Sequence, residues 1–328
     1  MVCQQAIRKL LLAVILTIVT LPQIMFGSDF PTKPIKLEIG LPPGGTSDLT
    51  TRAISSEASK ILGQPIICIN TPGSAGILVM GKIKNQSPDG YILGGAPTAN
   101  AYRNPHLREV PFKLGELTPI CEFSEFGYGV AVRTESPWKT WEELVDYAKK
   151  HPSEIKYSTA SSGTGQHLGM EYVSKKYGIQ WSQVPFLGGV EATAAVLGGH
   201  VQVTSNTTEF KEHVLAGRLR LLLVWNPKRL RSFPDVPTAK EKGIDVQVAS
   251  GPALWGPTGM PEEVVTKIDN AFKKATQAES FKQVCIKLDM PYDHYLDHKE
   301  MQELINKQYK IMGDLIKSLN MGIYEIKK

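Results

Sequence analysis

The sequence predicts an α/β fold of two lobes. Strand-like segments alternate with helix-like segments, the alternation runs through twice, and glycine-rich loops follow strands in both passes. Alternation of this kind implies parallel strands joined by crossover helices, with the helices packed on the sheet. The 328 residues suffice for about two domains of ordinary size.

The first pass begins with Lys33-Pro-Ile-Lys-Leu-Glu-Ile-Gly40, which alternates apolar and polar residues as a strand does. Pro42-Pro-Gly-Gly45 and Thr46-Ser-Asp48 follow. A helix is expected from about Leu49 to Leu62, with Leu49, Ala53, Ile54, Ala58 and Ile61 on one face. Ile66 to Asn70 reads as a strand, Thr71 to Gly76 as a second glycine turn, and a helix comes next. Tyr91 to Gly94 reads as the third strand, running into Gly95-Ala-Pro-Thr-Ala99.

The second pass begins near Gly127. Tyr128 to Arg133 is expected as a strand, and Thr140 to Lys150 as a helix whose Thr140 and Glu143 form a capping box. Strands over Ile155 to Thr159, Ser182 to Phe186 and Val201 to Thr204 alternate with helices over Gly165 to Tyr177 and Glu191 to Leu197. Leu219 to Trp225 is apolar enough for a strand buried on both faces. The tail is helical, with helices over Glu262 to Ala275 and about His298 to Leu319. The chain changes lobe near 127–130 and again near 248–252. One lobe then comprises 29–128 plus 250–328, the other 129–249, and the first combines both ends of the chain.

The N-terminus predicts export. Arg8-Lys9 precedes an apolar run from Leu10 to Leu21, Pro22 interrupts it, and Gly27-Ser28 supplies small residues, so 1–28 read as a signal peptide. Without it the charge is only weakly positive and the basic residues are dispersed, which argues against nucleic acid as a partner. Cys68, Cys121 and Cys285 have no CxxC or zinc-ligand spacing, and their pairing is left open.

Three loops carry binding chemistry. Pro42-Pro-Gly-Gly-Thr-Ser-Asp48, Pro72-Gly-Ser-Ala-Gly76 and Ser158-Thr-Ala-Ser-Ser-Gly-Thr-Gly-Gln-His167 each join a strand to a helix. Glycines let successive amides face one concavity, and the helix N-terminus adds partial positive charge, a combination that suits an anion. The first loop has no lysine of the GxxxxGK[ST] type, which argues against an NTP phosphate site. Such loops would lie at the carboxyl ends of parallel strands, where open α/β sheets bind ligands. Catalysis is the weaker alternative. No GxSxG elbow is present, and Ser161 or Thr164 with His167 would form a secreted ester hydrolase only with a third partner that the sequence does not supply. His294 and His298, flanked by Asp293 and Asp297, read as a solvated helix start rather than a metal site. No cofactor and no metal are expected. Trp138, Trp141, Trp225 and Trp255 are expected in cores.

These loops resemble those of the Bug-type substrate-binding proteins of tripartite tricarboxylate transporters. The resemblance covers nearly the whole chain after the signal. Beyond Lys33-Pro-Ile-Lys and Pro42 to Asp48 it is carried in order by Leu62-Gly-Gln-Pro65, Asn70 to Gly76, Pro88-Asp-Gly-Tyr91, Gly163-Thr164 with His167-Leu168, and Val184-Pro-Phe-Leu-Gly188. Leu197-Gly-Gly199, Gly217-Arg-Leu-Arg220 and Pro234-Asp-Val-Pro-Thr238 complete it.

The resemblance implies a periplasmic-binding-protein architecture of the Venus flytrap, type II-like kind, with a cleft between the lobes. It implies a monomeric periplasmic receptor that delivers a small carboxylate to membrane transporter subunits and catalyses nothing. A sensor docking on a signalling membrane protein is the alternative. By position, the first-lobe contacts are Gly44, Gly45, Thr46, Ser47, Asp48, Ser74, Ala75, Gly76 and Thr98. The second-lobe contacts are Ser161, Ser162, Gly163, Thr164, His167, Gly188, Gly189, Ala192 and Asn206. This chain departs from the family at Thr71, where arginine is usual, at Ser161, where glycine is usual, and at Phe186-Leu187, where tyrosine-lysine is common. Loss of cationic groups disfavours a tricarboxylate. With Asp48 expected to attract an ammonium, monocarboxylates and amino acids are favoured over citrate.

Overall fold

A computed structural model describes residues 30–325 of the chain. The expected signal segment, 1–28, lies outside the described residues. Two five-stranded mixed sheets, each covered by helices, form the frame.

The first sheet uses β1 (Ile35–Ile39), β2 (Ile66–Asn70), β3 (Ile92–Pro97), β4 (Leu117–Glu122) and β10 (Pro252–Pro257), in the order β2-β1-β3-β10-β4. The second uses β5 (Tyr128–Arg133), β6 (Lys156–Thr159), β7 (Ser182–Pro185), β8 (Val203–Thr207) and β9 (Leu219–Val224), in the order β7-β6-β8-β5-β9. In each sheet four strands point the same way, three of them paired side by side, and the strand that enters directly from the other sheet is antiparallel to its neighbours. β10 opposes β3 and β4, and β5 opposes β8 and β9. The expectation of parallel strands therefore holds for β1, β2 and β3 and for β6, β7 and β8. β4 and β10 were not expected as strands. Pro119, Pro252 and Pro257 interrupt the apolar pattern in both.

The helices are α1 (Thr46–Leu62), α2 (Ile77–Ile83), α3 (Ala99–Tyr102), α4 (Asn104–Leu107), α5 (Trp141–Lys150), α6 (Gly165–Tyr177), α7 (Gly189–Leu197), α8 (Lys211–Leu215), α9 (Glu262–Ala275), α10 (Glu279–Lys287) and α11 (His298–Ser318). The α1 face is corrected. Leu49 and Ile61 are exposed, while Thr46, Thr50, Thr51, Ser55 and Ala58 are buried with Ile54. Thr50 and Ser59 return their hydroxyls to carbonyls one turn back, which allows small polar residues to pack against the sheet. The α5 cap is observed in altered form. Thr140 accepts from the Glu143 amide, but the Glu143 carboxylate reaches the Lys139 amide instead of that of Thr140.

One hydrophobic core joins α2 and β10 to α11 through Met80, Ile83, Trp255, Met301 and Ile305. Trp138, Trp141, Trp225 and Trp255 are all buried. Cys68, Cys121 and Cys285 are unpaired thiols, the last two fully buried.

Candidate functional site

Loops at the carboxyl ends of parallel strands in both sheets converge on one cavity of about 270 Å³. At roughly 30 Å³ per water-sized atom, it suits a ligand on the order of ten non-hydrogen atoms. Its wall is mostly apolar, with Leu41, Pro42, Ala75, Phe126, Ala160 and Val190 contributing carbon surface.

Of the expected contacts, Gly45, Thr46, Ser47 and Ala75 from the first sheet and Thr164, Gly188 and Gly189 from the second line this cavity. The segments at 45–47 and 164 thus face a common space. The remaining expected residues stand behind the wall and hold it. The Gly44 amide donates to Asp48 Oδ2 at 2.9 Å, and Asp48 Oδ1 accepts from Arg52 Nε and Asn70 Nδ2, each at 2.8 Å. The Asp48 carboxylate is therefore committed to its own loop, which corrects its expected role as an ammonium partner. Ser74 and Gly76 flank Ala75 in a turn where all three have positive φ. The Thr98 hydroxyl donates to the Glu122 carboxylate, away from the cavity. Ser161 offers its carbonyl to Thr164 Oγ1 at 3.1 Å, and the Ser162 hydroxyl donates to Gln183 Oε1 at 2.8 Å. Ala192 accepts the Ser158 hydroxyl through its carbonyl. Asn206 Nδ2 donates to the Gly189 carbonyl at 2.7 Å and to Thr193 Oγ1 at 3.1 Å.

His167 belongs to the frame as well. Its Nδ1 accepts from the Gly163 amide at 3.1 Å, fixing the loop ahead of α6. Burial, helped by the nearby Arg108 charge, pushes its pKa down to about 4, so the ring is neutral near pH 7. Thr164 Oγ1 donates to the Ser161 carbonyl and accepts the His167 amide. Among the described residues no hydroxyl bonds the His167 ring, so the nucleophile–base pair of a hydrolase is not assembled. His298 bonds Asp269 through Nδ1 at 2.8 Å and Glu262 through Nε2 at 3.0 Å, while Asp297 caps α11 in a capping box. These contacts tie the start of α11 to α9, and Asp269, Asp297 and His298 bring one possible ligand atom each within 4.8 Å of one another.

Among the cavity residues that the sequence reading did not name are Arg103 and Glu209. Arg103, between α3 and α4, is 3% exposed and lines the cavity. Its Nη2 donates to the Val248 carbonyl at 3.2 Å, its Nε has no partner, and no carboxylate pairs with it among the described residues. A buried guanidinium without a counter-ion is costly, so the site is prepared for an anion. Thr46 Oγ1, also buried in the wall, lacks a partner too. Glu209, on the turn after β8, reaches across to α1 and accepts from the Thr46 amide at 3.0 Å. Arg103 thus places a cation at the cavity although the family's usual arginine and lysine are absent at Thr71 and Phe186-Leu187. It lies in two short helical turns that carry no periodic pattern, and only the Ala-Tyr-Arg-Asn104 placement of a cation beside apolar residues hinted at it.

Residues 50–321 match the model of the tripartite tricarboxylate transporter family receptor. The chain belongs to this family. A UPF0065 protein from the gbd 5′ region of Cupriavidus necator is 36% identical over 295 residues, 89% of each chain. BugT of Bordetella pertussis is 26% identical over 256 residues, 76% of this chain and 78% of its own. A solved periplasmic transporter, 26% identical, superposes with a TM-score of 0.82 and covers 89% of this chain and 99% of its own. Malate-bound MatC of Rhodopseudomonas palustris, at 23% identity and a TM-score of 0.80, shares the fold over 88% of this chain and 100% of its own. The family is one of solute receptors, not enzymes. Among the described residues no helix is long and apolar enough to cross a membrane.

Proposed function

We propose that this family member is a periplasmic receptor that captures a small carboxylate in the cavity and delivers it to the membrane subunits of a tripartite tricarboxylate-type transporter. In this reading 1–28 direct export and are removed. The segments 29–128 with 250–328, and 129–249, act as two lobes that close on the ligand as a monomer. The observation that carries the reading is Arg103, a buried guanidinium with no carboxylate partner among the described residues, in the wall of a ligand-sized cavity. A carboxylate supplies the missing counter-ion and accepts charge-assisted hydrogen bonds. The N-terminus of α6, at Thr164 and Gly165, adds favourable partial charge from the second sheet.

Native mass spectrometry of freshly purified protein, followed by calorimetry with a panel of small carboxylates, tests the proposal. A carboxylate should bind one to one and be returned unchanged. Replacing Arg103 by Met should weaken that binding at least about tenfold, since a charge-assisted hydrogen bond is worth roughly 1.5–3 kcal/mol. Absence of binding by every carboxylate tried, or full affinity in the Arg103→Met protein, removes the reading.

A further inference from the structure

Building on the reading of the cleft as a carboxylate site, we propose that Glu209 is its specificity-determining residue. It reserves the side of the cavity next to α1 for an ammonium or hydroxyl group, while Arg103 takes the carboxylate of the same ligand.

α1 begins at Thr46 behind Gly45, and no side chain of its own loop caps it. Its first amide instead donates 3.0 Å to Glu209 Oε1, a residue 163 positions away on the opposite sheet. The other oxygen, Oε2, accepts the Thr207 hydroxyl. On the far side the carboxylate lies against the start of α7. A Cβ built on Gly189 would stand 2.6 Å from Glu209 Cδ, so the glycine is what admits the carboxylate there. The anion position between two helix N-termini is thus filled by the chain's own carboxylate.

This has a chemical consequence. Two carboxylates a few ångströms apart do not both ionise without penalty, so a ligand carboxylate brought to Thr46 is repelled. A carboxylate has about four acceptor positions, and Glu209 uses two of them within the chain. The remaining positions accept hydrogen from a donor. The only other carboxylate among the wall residues, Glu191, is tied to the Leu187 amide at 3.2 Å and adds negative charge. The wall therefore offers one cation in need of an anion, one anion able to accept more donors, and the unpartnered hydroxyl of Thr46. The complementary solute is an amino or hydroxy carboxylate. A plain dicarboxylate satisfies Arg103 and opposes Glu209.

Calorimetry on the purified protein decides the matter with three matched series. These are ω-amino acids (β-alanine, γ-aminobutyrate, 5-aminovalerate), the corresponding ω-hydroxy acids, and the dicarboxylates malonate, succinate and glutarate. At the best-fitting length the amino or hydroxy acid should bind at least about tenfold more tightly than the dicarboxylate, the factor that one unit of pKa-scale interaction represents. Glu209→Gln should abolish or invert that ratio, and Glu209→Ala, checked for native circular dichroism, should do the same. A ratio unchanged in both folded variants overturns the proposal while leaving the receptor reading intact. Failure of the wild-type protein to bind any member of the three series overturns both.

Discussion

Asp48 and Glu209 bring the same chemical group to the same helix terminus with different consequences. Asp48 is local: its carboxylate gathers the Gly44 amide, Arg52 and Asn70 within one loop–helix–strand unit. Glu209 arrives from the other sheet and faces the cavity. The sequence supports both roles for Asp48, because an acid in the first turn of a helix can cap or can project. Nothing local in Thr207-Thr-Glu209 marks the second case. A residue's role is legible from sequence when its partners are neighbours, and hidden when they lie 163 positions away. At Asp48 the expected consequence is on stability. Asp48→Ala leaves the Gly44 amide without its acceptor, takes one of two acceptors from Asn70 Nδ2, which keeps the Leu41 carbonyl, and takes the carboxylate from the partly exposed Arg52, which keeps the Cys68 carbonyl and Asn70 Oδ1. The loss should be roughly 2–4 kcal/mol, read from the urea midpoint at constant m-value.

At the scale of elements, periodicity and capping located β2, β5, α6 and α9 at the residues observed, because each carries an unbroken pattern between glycine or proline boundaries. Elements stabilised from outside their own stretch were missed. β4 and β10 are proline-bearing strands held by pairing with each other and with β3, and α3 and α4 are single turns pinned by tertiary contacts. The crossover region illustrates such support. Glu122, at the end of β4, accepts from the Gly251 amide at 3.1 Å and from His294 Nε2 at 2.8 Å, so one buried carboxylate ties together both passages between the sheets. Burial alone would lower the His294 pKa, but its hydrogen bond to Glu122 and the charges of Glu122, Glu125 and Asp293 raise it above the ordinary 6.5. A raised native pKa means that protonation favours the folded state. The contribution is full below about pH 6.5 and is lost as pH rises through the native value. His298 acts in the same sense, while His106, His167 and His213 act in the opposite one, so the total curve mixes signs. The stability difference between wild type and His294→Gln isolates the one group. It should be larger at pH 6 than at pH 9, as measured by urea unfolding at both.

At the scale of the molecule, each sheet receives one antiparallel strand directly from the other, through the short segment 123–127 between β4 and β5 and the longer segment 225–251 between β9 and β10. In the proposed two-lobed receptor that connectivity permits rotation about the crossovers, and contacts between the lobes bias it. Polar contacts join the two proposed lobes in several places, among them the Thr208 hydroxyl and Lys211 Nζ on carbonyls of 286–288 and the Ser232 amide on Asp289, and two further ones link loops of the two sheets. Glu209 reaches the Thr46 amide from the second sheet, and Arg108 from the first donates to the Ser162 carbonyl at the head of the α6 loop. Gly188 packs against Pro42 beside the first, its position allowing no Cβ without a 2.9 Å clash. Arg108 is not among the cavity-lining residues, so its effect on a ligand must act through the closed arrangement of the lobes. Removing one cross-cleft hydrogen bond costs the closed state about 1 kcal/mol, and a ligand that requires closure then binds with its affinity reduced by about fivefold. Arg108→Met should show that reduction by calorimetry. Small-angle scattering should show a larger radius of gyration for the variant than for wild type at equal subsaturating ligand, and the same radius once ligand saturates both. An unchanged affinity would mean that the Arg108 bond contributes nothing to closure, which then rests on the ligand and the other contacts between the lobes.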